Sequence, residues 1–266
     1  MNFTVYLVYA PMKFLGSYKK RNLTGFVFEH PDFGKIFLGH FDPIHKEKNA
    51  HAQMKPIFAE CNIVIGDLNS GWYRLTGRNK YNIVPLLQPG EFGHVYNPIS
   101  YLPSVRPNPR DASIDMIISK YIQPVPIDVG VDFGRIADYS SPRDMMKDIN
   151  FPSDHLPIKA SLAGAGRIVV AFWNVADPIF WSQFYPDAMN GFTMAGENVR
   201  LNSIVEWVNR LLEGCDILGL AEVPISLIPK LQNLAGGREM QIKYTSEHSD
   251  IWRPNFPISQ IVVMWR

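Results

Sequence analysis

Apolar and polar positions alternate at short range in the first part of the chain and spread to helical spacing further on. Residues 3–9 are β-branched and aromatic and read as a strand. Residues 25–41 read as a hairpin. Gly-Phe-Val-Phe-Glu-His and Lys-Ile-Phe-Leu-Gly-His-Phe flank the turn-forming tetrad Pro31-Asp32-Phe33-Gly34. Ala50, Met54, Ile57 and Phe58 fall at helical intervals and predict a helix over 46–60. A short buried strand follows at 62–66, with Asp67 at its C-terminal end, and further strands are expected at 114–121 and 157–162. Beyond the small-residue connector Ala163-Gly164-Ala165-Gly166, residues 167–175 form the next strand candidate. The clearest helix is 197–212, where Val199, Ile204, Val205, Val208, Leu211 and Leu212 share one broad face and Gly214 supplies a stop. A buried strand at 216–223, a proline-led helix at 224–234 and a last strand at 258–265 complete the pattern. Residues 71–112 and 122–150 are irregular and turn-rich.

Composition narrows this to a globular enzyme-sized chain. The 266 residues suit one large domain or two small ones, and 46% apolar against 19% charged residues allows a sizeable core. Nineteen glycines and 21 prolines favour a sheet-rich fold over a helical bundle. A net charge of +1 gives no footprint for tight non-specific duplex binding, yet leaves room for a nuclease, whose site needs only local positive potential. Cys61 and Cys215 each border an apolar strand-like run and read as buried free thiols, which points to a reducing, cytoplasmic compartment. The N-terminal run lacks a basic leader and reads as a strand instead of a signal peptide. No run approaches the ~18 apolar residues of a membrane span.

Four short runs carry the candidate chemistry: Val-Ile-Gly-Asp-Leu-Asn-Ser at 64–70, Phe-Pro-Ser-Asp-His-Leu-Pro at 151–157, Phe-Trp-Asn-Val at 172–175 and Leu-Gly-Leu-Ala-Glu-Val at 218–223. Each resembles a motif of the endonuclease/exonuclease/phosphatase superfamily, the deoxyribonuclease-I-like proteins. In that family the Asn and Glu strands come first. Here they come last, as a circular permutation would leave them. The resemblance implies a single domain over 1–266, a four-layer α/β/β/α sandwich of two mixed sheets, circularly permuted. Residues 1–162 correspond to the family's C-terminal part and 167–266 to its N-terminal part, with 163–166 as the connector. Two to five residues suffice to join antiparallel neighbours, so this connector fits a hairpin. The new ends fall between the strand candidates 261–266 and 3–9.

Phosphoester hydrolysis needs an activated water, neutralised phosphate charge and a stabilised leaving oxygen, and hard divalent cations bound by carboxylates supply much of this. Glu222 ends an apolar run, where a carboxylate is costly unless paired or metal-bound. In the family the matching Glu is the principal metal ligand, although Ala221 stands where the family usually has Gln. Asp67 and Asn69 alternate and are expected on one face of an extended segment. The resemblance gives Asp67 the water and Asn69 the phosphate or incoming oxygen. In Ser153-Asp154-His155-Leu156-Pro157 it places Asp154 near the metal and His155 at the phosphate or nucleophile, and a histidine can move a proton near neutral pH. Asp115, in Ser-Ile-Asp-Met-Ile-Ile-Ser, matches the family's carboxylate that fixes this imidazole. Asn174 matches an Asn near metal and phosphate, with Asp177 either a carboxylate supporting the metal ligands from behind or a turn residue. His40 matches a His that donates to a phosphate oxygen or leaving group. His45 and His51 read as ordinary surface residues, because nothing completes a zinc site around them.

The implied cofactor is Mg²⁺ or Mn²⁺, and the implied partner is DNA or RNA cut as a phosphodiester. A phosphatase for a small or lipid-linked phosphate, of the inositol phosphate type, is the alternative, and a non-catalytic binding protein of the same fold is a third. Arg106, Arg110 and Arg143, interleaved with Tyr96, Tyr101 and Tyr139, have the composition to stack bases and grip phosphates, and equally that of ordinary loops.

Overall fold

The computed structural model describes residues 11–20, 23–41, 53–69, 93–98, 100, 114–131, 152–175, 194–246 and 260–266. They form two six-stranded mixed sheets with few helices. The first sheet holds β1 (Lys13–Lys20), β2 (Leu23–His30), β3 (Gly34–Phe41), β4 (Ile63–Asp67), β5 (His94–Tyr96) and β6 (Asp115–Ser119) in the order β1-β2-β3-β4-β6-β5. The second holds β7 (Val125–Pro126), β8 (Ile158–Ala163), β9 (Arg167–Asn174), β10 (Ile217–Val223), β11 (Gln241–Ser246) and β12 (Gln260–Trp265) in the order β11-β12-β10-β9-β8-β7.

Taken from opposite ends, the two orders are the same topology shifted by six strands. In each sheet a hairpin leads into a parallel pair, β3 with β4 and β9 with β10, and every other pairing is antiparallel. Parallel neighbours need a crossover. That crossover contains helix α1 (Lys55–Glu60) in the first half and α2 (Met194–Leu211) in the second. A third helix, α3 (Ile228–Gly236), follows β10.

Alternation along the strands sorts side chains into layers. Phe26, Phe28, Ile36, Leu38, Ile63 and Ile65 of the first sheet share one core with Ile158, Val170, Phe172, Ile217, Ile261 and Val263 of the second. Phe37, Val64 and Ile118, on the other face of the first sheet, pack on Ile57 and Phe58 of α1. Trp173, Leu218, Leu220 and Val262 pack on Ile204, Val208 and Leu231 of α2 and α3. Gly219 lets the sheets close tightly, because a Cβ there would strike the Leu38 side chain of the opposite sheet.

Most expected elements are present. The 25–41 hairpin turns through residues 31–33, and the strands expected at 62–66, 114–121, 157–162, 167–175, 216–223 and 258–265 correspond to β4, β6, β8, β9, β10 and β12. Residues 163–166 do form a hairpin, with Ala163 opposite Arg167 and Gly164 N–H donating to the Gly166 carbonyl at 2.7 Å. That hairpin lies inside the second sheet, so the connector is no boundary between sheets. The helix expected at 46–60 is described only as Lys55–Glu60, and the strand at 3–9 lies outside the described residues. Four strands were not anticipated. β1 and β11 are edge strands rich in polar residues, and β5 and β7 are only three and two residues long. Cys61 and Cys215 are buried free thiols; burial pushes them up to about 11 and about 12, which keeps both protonated and inert. No helix among the described residues is long and apolar enough to cross a membrane.

Candidate active site

Both parallel pairs end at the same mouth, and the expected residues gather there. His40 ends β3 next to Phe41, opposite Asp67, which ends β4; Asp67 in turn lies opposite Asp115, which opens β6. From the second sheet Asn174 ends β9, and Glu222 sits one residue before the end of β10. The Asn174 amide joins the halves. Its Nδ2 donates to Asp67 Oδ2 at 3.1 Å and to Glu222 Oε1 at 3.0 Å. His40 Nε2 lies 3.6 Å from Asp67 Oδ2 and 4.0 Å from Glu222 Oε1. Asp67, Asp115, Asp154, His155, His40 and Asn174 are all buried, while the Glu222 side chain is 28% exposed and lies at the rim.

Local backbone detail aims these groups. Strand alternation would send Glu222 to the helix-covered face with Leu218 and Leu220. A register shift between Leu220 and Val223, with Glu222 itself at φ 52°, turns it to the inner face where Asn174 waits. Asn69 departs from the expected extended alternation with Asp67. It adopts φ 47°, and its N–H donates to Asp67 Oδ1 at 2.9 Å, closing a tight Asx-type turn. Its amide donates to the Phe41 carbonyl at 3.0 Å and lies 3.4 Å from His40 Nε2. Left-handed backbone at a non-glycine residue costs about 1–2 kcal/mol, and here two of the site residues carry it. Gly66, just before Asp67, has φ 156° and a Cβ there would strike the Gly39 carbonyl, so only glycine fits.

His155 faces three carboxylates. Its Nδ1–H donates to Asp115 Oδ2 at 2.9 Å, Nδ1 lies 3.9 Å from Asp67 Oδ2, and Nε2 lies 4.0 Å from Asp154 Oδ1. Burial works against the imidazolium, but the charge and hydrogen bond of Asp115, with Asp154 and Asp67 adding to them, outweigh it and hold His155 up to about 10. The ring is therefore a cation at neutral pH. Burial, with the Asp115 charge, raises Asp67 above the usual carboxylate range against the pull of His155 and His40. Burial likewise raises Asp154, opposed by His155 and Arg200.

Several supporting residues escaped sequence reading. Ser100 Oγ–H donates to Asp115 Oδ2 at 2.6 Å, and the Ser100 carbonyl accepts from Leu156 N–H. Nothing local in its turn-rich stretch marks it. Ser153 Oγ–H donates to the Asn174 carbonyl at 2.6 Å and accepts from His155 N–H, and Trp173 Nε1–H donates to the His155 carbonyl at 2.9 Å. Ser153 and Trp173 each neighbour a predicted site residue in the runs 151–157 and 172–175, so their places could have been suspected. Arg200, buried in α2, donates through Nε to the Pro152 carbonyl at 2.6 Å. Gln260, buried at the start of β12, occupies the topological counterpart of Asp115. Asp177, His45, His51, Arg106, Arg110, Arg143, Tyr101 and Tyr139 lie outside the described residues. Tyr96 is half-buried in β5.

Among the described residues one group of ligand atoms could take a cation. Ligand atoms of Asp67, Asp115 and His155 lie within 4.8 Å of one another. A metal there would have to displace the His155 proton, which Asp115 holds. Outside that grouping stand the rim carboxylate of Glu222 and the carboxylate of Asp154, whose Oδ1 is buried and has no hydrogen-bond partner among the described residues. These are hard oxygen donors of the kind Mg²⁺ and Mn²⁺ prefer. Comparison of the chain with protein-family models, with curated proteins and with solved structures gave no match.

Proposed function

We propose that this protein is a divalent-cation-dependent phosphoesterase that hydrolyses phosphodiester bonds of nucleic acid, within the four-layer, circularly permuted architecture that its motifs resemble. The reading is carried by one observation: the Asn174 amide ties the Asp67 carboxylate of one sheet to the Glu222 carboxylate of the other. Three motifs separated in sequence thereby meet, and the fourth joins them through Ser153, whose Oγ–H donates to the Asn174 carbonyl. Two face-to-face sheets with helices against their outer sides support the same reading.

Environment separates the roles of the ionisable groups. Asp67, with its proton affinity raised by burial, takes the proton of the attacking water. His155, charged through Asp115, donates to a non-bridging phosphate oxygen. The Asn69 amide donates to a remaining phosphate oxygen, while the Asn174 amide keeps both N–H groups on Asp67 and Glu222 and holds the two carboxylates in place. Water attacks in line, its oxygen bonds to phosphorus, the opposite P–O bond breaks, and His40 donates a proton to the leaving oxygen. Glu222 and Asp154 would hold Mg²⁺ or Mn²⁺, which when bound neutralises phosphate charge and stabilises the leaving oxygen.

A hydrolysis assay with plasmid DNA, single-stranded oligonucleotides and phosphomonoesters, in Mg²⁺ or Mn²⁺ and in chelator, tests the reading. Metal-dependent cleavage of the diesters, abolished by Glu222→Ala, is expected. Turnover confined to monoesters replaces the nuclease with a phosphatase, and turnover undiminished in Glu222→Ala rejects the site.

A further inference from the structure

Cross-strand partners share a face of their sheet. One such row runs through the site: Lys19 pairs with Thr24, Thr24 with His40, His40 with Asp67, and Asp67 with Asp115. The row begins on the edge strand β1, at an exposed lysine that no motif singles out. Its orientation depends on an irregularity. Phe14 stacks on Trp265 in the core between the sheets, whereas Tyr18, four residues on, packs edge-on against Phe37 on the opposite face. Residues four apart in a regular strand would share a face. The register shift at Gly16, whose φ of 154° suits glycine, reverses them. Lys19 therefore faces the inner side with His40, while Lys20 lies over the Tyr18 ring on the outer side. Among the described residues Lys19 makes no ion pair.

We infer that Lys19 is a subsite for a backbone phosphate flanking the bond to be cut, so that the substrate is a nucleic-acid strand and not a small phosphoester. The inference rests on the phosphoesterase reading above and narrows its substrate. Two ladder spacings of about 4.8 Å put the Lys19 backbone ~10 Å from that of His40. That span corresponds to about three base steps of roughly 3.4 Å along a duplex axis, so the phosphate reached is one near the bond to be cut and not the scissile one. The long lysine stem brings its ammonium within reach of phosphates nearer the site or farther out, and a point charge on a flexible stem suits a phosphate whose position varies with sequence. A monoester or small diester held at His40 and His155 would leave Lys19 untouched.

The test pairs two measurements on wild type, Lys19→Ala, Lys19→Glu and Lys19→Arg. The first is binding of fluorescent single-stranded DNA and RNA oligonucleotides in chelator, as a function of salt, which needs no turnover. The second is metal-dependent hydrolysis of the same oligonucleotides beside bis(4-nitrophenyl) phosphate. Lys19→Ala is expected to weaken strand binding roughly three- to fivefold at low salt and to lower the slope of log affinity against log salt by about 0.7. Lys19→Glu should weaken it further and Lys19→Arg should retain it, with hydrolysis of the small diester unchanged throughout. The DNA and RNA arms show which strand is preferred. Equal binding and equal salt slope in wild type and Lys19→Glu, or no strand binding by wild type, overturns the subsite. A wild type that binds strands through Lys19 but hydrolyses no phosphoester overturns the phosphoesterase reading alone.

Discussion

The two sheets repeat one topology with different chemistry at equivalent positions. The parallel pair of the first ends in His40 and Asp67, and β6 opens on Asp115. The parallel pair of the second ends in Asn174 and Glu222, and β12 opens on Gln260. The first sheet thus supplies buried groups that can carry protons, and burial raises the proton affinity of Asp67 among them. The ends of the second sheet's parallel pair supply a neutral amide and a rim carboxylate still in contact with solvent, while buried Asp154 and His155 stand just ahead of β8. The topology accounts for why both sets meet at one mouth, because ligands favour the C-terminal ends of parallel strands. It does not account for what each set does. In the proposed reaction burial does that: the sealed acid, Asp67, takes the proton and the rim acid, Glu222, is left for the cation.

The severest challenge to that contrast is a substitution in the core that the two halves share. Phe28 packs between the sheets against Trp265, with ring centroids 5.2 Å apart. Phe28→Ala should cost about 3–5 kcal/mol in denaturant unfolding. One transition is expected by both fluorescence and circular dichroism, whereas two separate transitions would show that each half folds alone. Next in size is Asp67→Asn, which should reduce hydrolysis roughly 10²- to 10⁴-fold. Because the folded state raises the proton affinity of Asp67, its ionised form opposes folding at neutral pH. Calorimetry should therefore find Asp67→Asn more stable than wild type near pH 7, with the gap closing as pH falls into the ordinary carboxyl range.

His155 has the opposite sign. Its affinity is raised from 6.5 to about 10, so its contribution to stability is full below about pH 6.5 and is lost as pH climbs through about 10. Wild type should lose melting temperature over that window relative to His155→Gln, and parallel curves would contradict the Asp115–His155 pair. The smallest effect concerns the backbone. Glu222→Gly relieves a left-handed residue and should gain up to about 1 kcal/mol in urea unfolding while losing activity. A net loss of stability would mean that its bond with Asn174 outweighs the strain.

The buried strands could be read from sequence because they rest on apolar runs and alternation, and the meeting of the runs that end them is expected from the family resemblance. Ile63-Val64-Ile65 before Asp67 and Ile217 to Ala221 before Glu222 are such runs. The aim of the side chains could not. Glu222 sits in a bulge and Asn69 in a left-handed turn, and strand periodicity places both wrongly. Ser100 and Arg200 act across 15 and 48 residues through single hydrogen bonds, which leave no local pattern. Edge strand β1 hid because most of its exposed positions are polar and Gly16 breaks its alternation.

The most direct measurement is Mn²⁺ binding followed by electron paramagnetic resonance on wild type and Glu222→Gln, with circular dichroism to confirm that both are folded. If the mouth between the two sheets holds the cation through its rim carboxylate, wild type binds Mn²⁺ and Glu222→Gln loses that binding. Equal Mn²⁺ affinity in the two proteins would contradict it.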